Sequence, residues 1–294
     1  MDVEDLKSGR QDYLSTGFQA TNIGRAAELI GRMKEEKAAV FLSFTANMAA
    51  SGLRGVFAEM CRRRFVDVVI TTGGSLDHDI IRTKMDYGIG DFTMDDAALH
   101  KKGMNRLGNV LIKNGCYEFL EKAVRPVFER LYNDEVVTSP SSIAAALGSS
   151  VSDKGSFLYW CSKNRIPVFS PGITDSAIGL QTYFFKQRHP DFGIDVTKDM
   201  KSLADIALNA DKTGAIVLGG GISKHHTIGV NLLRGGLDYA VYVTTSSPWD
   251  GSLSGARTNE AVSWGKIAEK ARHVTVDCDA TIALPLIMEK FLGD

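Results

Sequence analysis

The chain has 294 residues, 44% of them hydrophobic, enough to fill the core of one large domain. Its 34 basic and 35 acidic side chains leave a net charge of −1, which excludes the basic face of a nucleic-acid binder and the polybasic patch of a membrane-surface protein. The four cysteines (Cys61, Cys116, Cys161, Cys278) are far apart and form no CxxC, so no disulfide framework or metal site is expected, and a reducing cytoplasm is the expected compartment.

The start of the chain, MDVEDLKSGRQDYL, is polar and acidic. It does not read as a signal peptide, and residues 1–20 are expected to be peripheral. No apolar run reaches bilayer-spanning length. In chain order the pattern then predicts a helix over 21–34, a strand over 39–44, a helix over 52–63 that ends in Arg62-Arg63-Arg64, and a strand over 66–71. A polar, irregular insertion is expected over 91–115, with a turn at Asn114-Gly115. Helices follow over 117–131 and 141–147, a strand over 167–169, a helix over 202–210, and a strand over 215–218. The last stretch reads as a helix ending near 231–234, a strand over 240–244, a helix over 260–271, a strand over 273–277 and a helix over 280–291. The strands are short, apolar and rich in β-branched residues, as in strands buried on both faces. Their alternation with helices predicts an α/β fold, a Rossmann-like parallel sheet flanked by helices. With no linker or repeat in view, residues 1–294 are expected to form a single domain.

Several predicted strands run into glycine or small polar residues. Strand 66–71 leads into Thr72-Gly73-Gly74-Ser75, strand 215–218 into Gly219-Gly220-Gly221, strand 39–44 into Thr45-Ala46-Asn47, and strand 240–244 into Thr245-Ser246-Ser247. Open α/β sheets bind ligands beyond the carboxyl ends of their strands, and glycines there let a phosphate approach the backbone. Four such ends point to a nucleotide or dinucleotide. No GxGxxG occurs, so the usual dinucleotide fingerprint is absent. Lys224-His225-His226 follows the triple glycine. On a strand one histidine would face a ligand; at a helix N-terminus one would be solvated and one packed. Asp77-His78-Asp79 reads either as a cation site or as helix capping, and Asp175 either as a ribose contact or as a cap.

The stretch 250–266, DGSLSGARTNEAVSWGK, carries the strongest chemistry. Lys266 lies two residues after Trp264 and six after Glu260. A lysine amine is a nucleophile only when neutral, and desolvation against an indole favours the neutral form. Glu260 would pair with that ammonium or with a cationic substrate. The trio suits covalent amine chemistry. The alternative is an amphipathic helix with Trp264 in the core and Lys266 in water.

Taken together, the blocks VDVVITTGG, NRLGN, IPVFSPGITD, LGGGISKHH, DYAVY, DGS and SGAR on either side of Leu253, and NEAVSWGKI resemble deoxyhypusine synthase, from about Thr45 to the C-terminus. The resemblance implies a deoxyhypusine synthase-type NAD-binding fold and an NAD-dependent transferase. Such an enzyme oxidises an amine or polyamine beside its secondary nitrogen, carries an aminobutyl group on a lysine as an imine, and passes it to an acceptor amine. In the family the acceptor is a lysine of a translation factor. By position Lys266 matches the covalent lysine, Glu260 and Trp264 the polyamine-holding residues, and His225 a substrate-contacting histidine. Asn47, Met48, Ala50, Thr72, Gly73, Gly74, Asp175, Gly220, Thr245, Ser246, Asp279 and Ala280 match the NAD contacts. Gly251, Ser252, Leu253, Leu180, Asp77 and His78 match the substrate side. The resemblance further implies a homotetramer with active sites shared between paired subunits, with no nucleic-acid or membrane partner. It also implies that this chain is short at its N-terminus relative to longer members.

The departures fall on the substrate side. Leu253 and Leu180 stand where the family has carboxylates, and Asp77-His78 replaces a Glu-Glu pair. Losing one partner of a buried charge pair costs roughly 3–5 kcal/mol. The expectation is an altered mode of polyamine binding, with Leu253 and Leu180 lining an apolar stretch or packing in the core. Two alternatives stay open: a homospermidine synthase-like transferase between small amines, and an NAD-binding homologue without turnover.

Overall fold

In the computed structural model residues 12–293 are described, so most of the segment expected to be peripheral lies outside the described residues. The chain divides into two compact units, one made of Met1–Phe44, Phe65–Ile70 and Ser202–Asp294, the other of Thr45–Arg64 and Thr71–Lys201.

The first unit carries five parallel strands in the order Ile267–Asp277, Leu237–Thr244, Thr213–Leu218, Ala39–Ser43, Val68–Ile70. Their register runs straight across, with Val274 beside Val241, Val241 beside Ile216, and Ile216 beside Leu42. Every residue of Thr213–Leu218 and all but one of Leu237–Thr244 are buried, which is why these strands read as unbroken apolar runs without alternation. The Gln19–Glu35 helix buries Ile23, Ala26, Leu29, Ile30 and Met33, the i, i+3, i+4, i+7 stripe of a helix lying on a core. Met33 packs so close that a Cβ at Gly214 would lie 2.7 Å from its sulfur, so a larger residue there would displace the Met33 side chain. The Ala280–Leu292 helix packs against the same sheet, and the Gly221–Asn231 helix lies on three of the strands.

The second unit is built mainly of helices: Arg54–Arg62, Gly73–Ile81, Asn114–Asp134, Pro140–Ser150, Phe157–Asn164 and Ala177–Lys186. The region expected to be irregular is ordered. It holds the Asp96–Lys101 helix and an antiparallel sheet of Gly88–Ile89, Val110–Lys113 and Met104–Leu107. The turn falls at Gly108-Asn109, where Gly108 takes a φ of 61°, and Asn114-Gly115 opens a helix instead. Three further helices were not expected. They are short: Gly73–Ile81 has Thr72 at its N-cap, and the other two are started by serine caps, with Ser156 accepting from Tyr159 N and Ser176 from Gly179 N.

The expected helix over 260–271 is corrected to a helix over Thr258–Ser263 followed by the strand Ile267–Asp277. The stop is a Schellman motif. Gly265 adopts a φ of 67°, its N–H reaches Val262 O, and Lys266 N–H reaches Ala261 O. The two histidines after the triple glycine sit on a helix, not a strand.

A lysine pocket and a strand-end rim

The Schellman stop explains where Lys266 points. Its N–H closes the preceding helix and its C=O accepts Leu237 N–H, so the residue is pinned between a helix end and a strand start. From there its side chain enters a cavity of about 280 Å³ lined by Lys224, His225, Ile228, Tyr242, Gly251, Leu253, Ala256, Arg257, Glu260, Ala261, Trp264 and Lys266. All of these residues belong to the first unit. Lys266 Nζ lies 3.4 Å from His225 Nε2 and 5.3 Å from the centre of the Trp264 ring. The indole is 66% exposed, so Trp264 forms an open wall and not the dry core contact read from the sequence. Glu260 is exposed, and among the described residues its carboxylate accepts no hydrogen bond. The cavity therefore offers a primary amine, an imidazole, an indole face and an unspent carboxylate. That set binds cations and performs covalent amine chemistry.

Of the residues expected on the substrate side, Gly251 and Leu253 line this cavity. Ser252 stands beside them, exposed, its N–H held by Asp250 at 2.8 Å. Leu253 gives the cavity an apolar stretch. Leu180 is elsewhere: it is 53% exposed on the Ala177–Lys186 helix, on a face shared with Tyr183 and Phe184.

Asp77 and His78 lie in the second unit and are buried. The Asp77 carboxylate accepts Ala177 N–H at 2.8 Å and Ile178 N–H at 2.9 Å, so it caps a helix other than its own. Burial pushes its pKa up to about 6, against those two bonds. His78 Nδ1 pairs with Tyr87 Oη at 2.8 Å, and burial drives the ring pKa down to about 4. Asp79 is fully buried. It accepts from Ser156 Oγ at 2.5 Å, Phe157 N–H at 3.2 Å, Leu158 N–H at 3.1 Å and Arg54 Nε at 2.6 Å. Of the two readings of this acidic triplet, capping describes what the carboxylates do. Among the described residues no cluster of His, Cys, Asp or Glu is arranged to hold a metal ion.

The residues expected to bind a dinucleotide divide between the units. In the first, Gly220, Thr245, Ser246, Asp279 and Ala280 follow the carboxyl ends of three adjacent strands, Thr213–Leu218, Leu237–Thr244 and Ile267–Asp277. The ends are aligned, Leu218 beside Val243 and Thr244 beside Asp277. Gly219 and Gly221 turn the chain into the next helix with φ of 80° and 69°. A Cβ at Gly220 would lie 2.4 Å from Ser254 Cα, so glycine there is demanded by close packing of the neighbouring loop. Asp279 caps its helix through Thr281 N–H at 2.8 Å, and the helix N-terminus behind it favours an anion. In the second unit Asn47 is exposed, beside Met48 and the buried Ala50, where the helix passes through a π-helical turn and Gly52 takes a φ of 113°. Thr72 occupies the N-cap position of the Gly73–Ile81 helix in extended conformation, without a side-chain capping bond. Cβ atoms at Gly73 and Gly74 would meet Ser176 at 2.6 Å and Ala46 at 2.8 Å, so these glycines are also required for packing. Asp175 is exposed, and the cap beside it is Ser176, which leaves the Asp175 carboxylate available.

The residues 10–291 match the family model described as deoxyhypusine synthase. The chain belongs to the deoxyhypusine synthase family. Members transfer an aminobutyl group from spermidine to a lysine using NAD. Two relatives, from Picrophilus torridus and Thermoplasma acidophilum, are both named "Probable deoxyhypusine synthase". The first is 46% identical over 95% of this chain and 90% of its own length, the second 47% identical over 94% and 89%. A crystal structure of an Entamoeba histolytica protein assigned as a deoxyhypusine synthase shares the fold. It superposes with a TM-score of 0.73 at 24% identity, over 99% of this chain and 93% of that one. The chain is thus an enzyme of the alkyl-transferring class with a mixed α/β fold.

Six lining residues were not expected from the sequence, and two of them, Lys224 and Tyr242, are buried polar side chains. Lys224 is fully buried; its Nζ donates to Leu253 O and Ala256 O, each at 2.7 Å, and lies 4.4 Å from the centre of the Tyr242 ring. Tyr242 is also buried, its hydroxyl has no partner among the described residues, and burial raises its pKa. The one signal available was Lys224 preceding His225 on an apolar helix face. A tyrosine inside an all-apolar strand gives none.

Proposed function

We propose that Lys266 is the nucleophile of an NAD-dependent aminobutyl transfer in the 280 Å³ cavity. The observation that carries this is the convergence of Lys266, His225, Trp264 and Glu260 around one space. Glu260 draws the cationic end of a polyamine, the Trp264 face lies along it, and Leu253 meets its methylenes. The dinucleotide, when bound, accepts a hydride from the substrate carbon and later returns it. The strand-end rim of Gly220, Thr245, Ser246, Asp279 and Ala280 fits such a ligand: an exposed Thr245 and a half-buried Ser246 at the strand end, and a helix N-terminus. Asn47, Met48, Ala50, Thr72, Gly73, Gly74 and Asp175 of the second unit are proposed as dinucleotide contacts from their match to the family. Oxidation of the C–N bond loses a hydride and a proton and leaves an imine. The Lys266 amine adds to that carbon, the remaining diamine departs with the proton His225 can supply, and the aminobutyl group stays on Lys266 as an imine. A lysine of an acceptor protein then displaces Lys266 from the imine in the same manner, and return of the hydride with a proton would leave the aminobutyl group on the acceptor as a secondary amine.

Asp77 supports this reaction by holding the Ala177–Lys186 helix, and His78 by its bond to Tyr87 in the same unit. That helix exposes Leu180, Tyr183 and Phe184 on one face, which favours an assembly face and, with the family, a homotetramer sharing sites between subunits. Among the described residues no helix is long and apolar enough to cross a membrane, and the four cysteines are free, which suits a reducing cytoplasm. Incubation with NAD and spermidine followed by borohydride should add an aminobutyl mass to the peptide containing Lys266. No adduct, together with no spermidine-dependent NADH, defeats the proposal.

A further inference from the structure

Lys224 is a buried cation with no ion pair among the described residues. Desolvating an ammonium is expensive, and two carbonyls with one aromatic face are weak compensation for a lost carboxylate or water shell. The cost shows in its proton affinity: burial pulls the pKa down to about 8, with Glu260 acting against the fall and Arg257 with it. A neutral side chain could brace two carbonyls at lower cost. What a lysine adds is reach, since its long stem lets one nitrogen touch two separate pieces of chain.

Those pieces are the walls of the cavity. Lys224 stands on the Gly221–Asn231 helix, next to His225, the partner of Lys266. Its two acceptors, Leu253 O and Ala256 O, belong to the loop facing that helix. The loop is held at its other side by Thr244 Oγ1 donating to Ser254 O at 3.1 Å and by Arg257 Nη1 donating to Gly255 O at 2.8 Å and Ser246 O at 3.1 Å. Thr244 and Arg257 thus fix the loop to the strand-end rim, and Lys224 fixes it to the helix.

We propose that Lys224 is a positioning residue that clamps the Leu253–Ala256 loop to the His225 helix and so sets the width of the amine cavity and its selectivity among polyamines. This rests on the reading of the cavity as the amine site. Loss of the clamp lets the Leu253 wall move away from the Lys266 side. Binding of the amine then weakens and a shorter amine is no longer disfavoured. The strand-end rim keeps its own anchors, so the dinucleotide is affected much less.

The test compares wild type with K224M, which keeps the stem and removes the donors, and K224R, which restores them. Amide hydrogen exchange across residues 251–257 reads the clamp without reference to activity. Faster exchange there by tenfold or more in K224M, with the rest of the first unit unchanged and K224R close to wild type, is expected. Steady-state rates with spermidine and putrescine read the consequence. The KM for spermidine should rise at least tenfold in K224M, the spermidine-to-putrescine preference should fall, and the KM for NAD should stay within threefold. Should K224M fail to fold, K224Q, with a single shorter amide donor, replaces it and the same changes are expected at smaller size. Exchange and amine KM within twofold of wild type in a folded variant overturn the clamp. So does a parallel loss of amine and NAD binding that simply follows a fall in Tm. If wild type itself shows no amine-dependent NADH, the reading of the cavity fails, while hydrogen exchange still decides whether the clamp exists.

Discussion

Two clusters of charged residues look alike in the sequence and behave oppositely in the fold. Glu260, Lys266 and His225 surround a cavity and keep hydrogen-bonding capacity in reserve. Asp77, His78 and Asp79 are buried, and their capacity is taken up by helix N-termini, Tyr87 and Arg54. The residue types do not tell the two apart; the number of unspent donors and acceptors facing open space does. A buried carboxylate that accepts two backbone N–H groups is structure, whereas an exposed one with no hydrogen-bond donor, lining the same cavity as an amine, can bind a substrate.

The sharpest break of this contrast is K266A. It removes the proposed nucleophile from a half-buried position just past a helix end, and leaves both backbone hydrogen bonds of residue 266 in place. Borohydride trapping and transfer to the acceptor should both fall by roughly a thousandfold or more, whereas NADH formation, which precedes the addition of Lys266, should persist. The unfolding midpoint should move little. A K266A protein that still forms the adduct would place the covalent chemistry on another residue.

D79A should show the reverse. It strips Arg54 Nε, Ser156 Oγ and Leu158 N–H of the carboxylate they donate to in the core. Arg54 keeps only Asp153 at 2.7 Å and the Asp79 carbonyl. Breaking such a buried pair costs roughly 3–5 kcal/mol, read as a fall in the denaturant midpoint. The folded fraction should bind amines with an unchanged KM. A change in KM without loss of stability would mean that this cluster is not structural.

The difference between the clusters also marks how far the sequence could be read. The alternating strands and helices of the first unit were legible because both-face burial writes unbroken apolar runs such as AIVL and YAVYV. The identities of the cavity residues were legible through NEAVSWGK and its match to a family. Their geometry was not. Nothing in the pattern around Glu260–Lys266 separates a long helix from a short one until Gly265 is seen in the left-handed region, which is what turns Lys266 into the cavity. Lys224 stayed hidden because its partners are carbonyls, and backbone acceptors leave no mark on a sequence. Asp77 and Asp79 were ambiguous for a related reason: each caps a helix about 80–100 residues away, so no local motif announces the role.

E260Q sharpens the comparison on the side of the cavity. The exchange keeps shape and polarity and removes the charge that faces a cationic substrate. A hydrogen bond to a charged group is worth about 1.5–3 kcal/mol, so the KM for spermidine should rise about tenfold to a hundredfold while kcat changes by a few-fold. Because Glu260 is exposed, high salt should narrow the gap between variant and wild type. An unchanged KM at low salt would remove Glu260 from the amine site.

H78Q tests the buried cluster through acid stability and carries the smallest effect. Burial holds the His78 pKa at about 4, below the 6.5 of an unfolded histidine. Between those values the unfolded chain binds more protons, so the contribution of His78 is complete above about pH 6.5 and drains away as the pH falls toward 4. Asp77 runs the other way. Its pKa, raised by burial to about 6, lies above the unfolded value of about 3.9, so its contribution is complete below that value and is lost as the pH rises through 6. Across pH 4–6 the neighbours oppose each other, and removing the histidine should uncover the aspartate. The stability gap between wild type and H78Q, measured by denaturant unfolding, should shrink on acidification by on the order of 1 kcal/mol after discounting for partial solvent access. H78Q alone should lose stability more steeply than wild type as the pH rises from 4 to 6. A gap that stays constant from pH 4 to 7 would mean that the folded protein protonates His78 as readily as the unfolded chain does, which its burial against Tyr87 forbids.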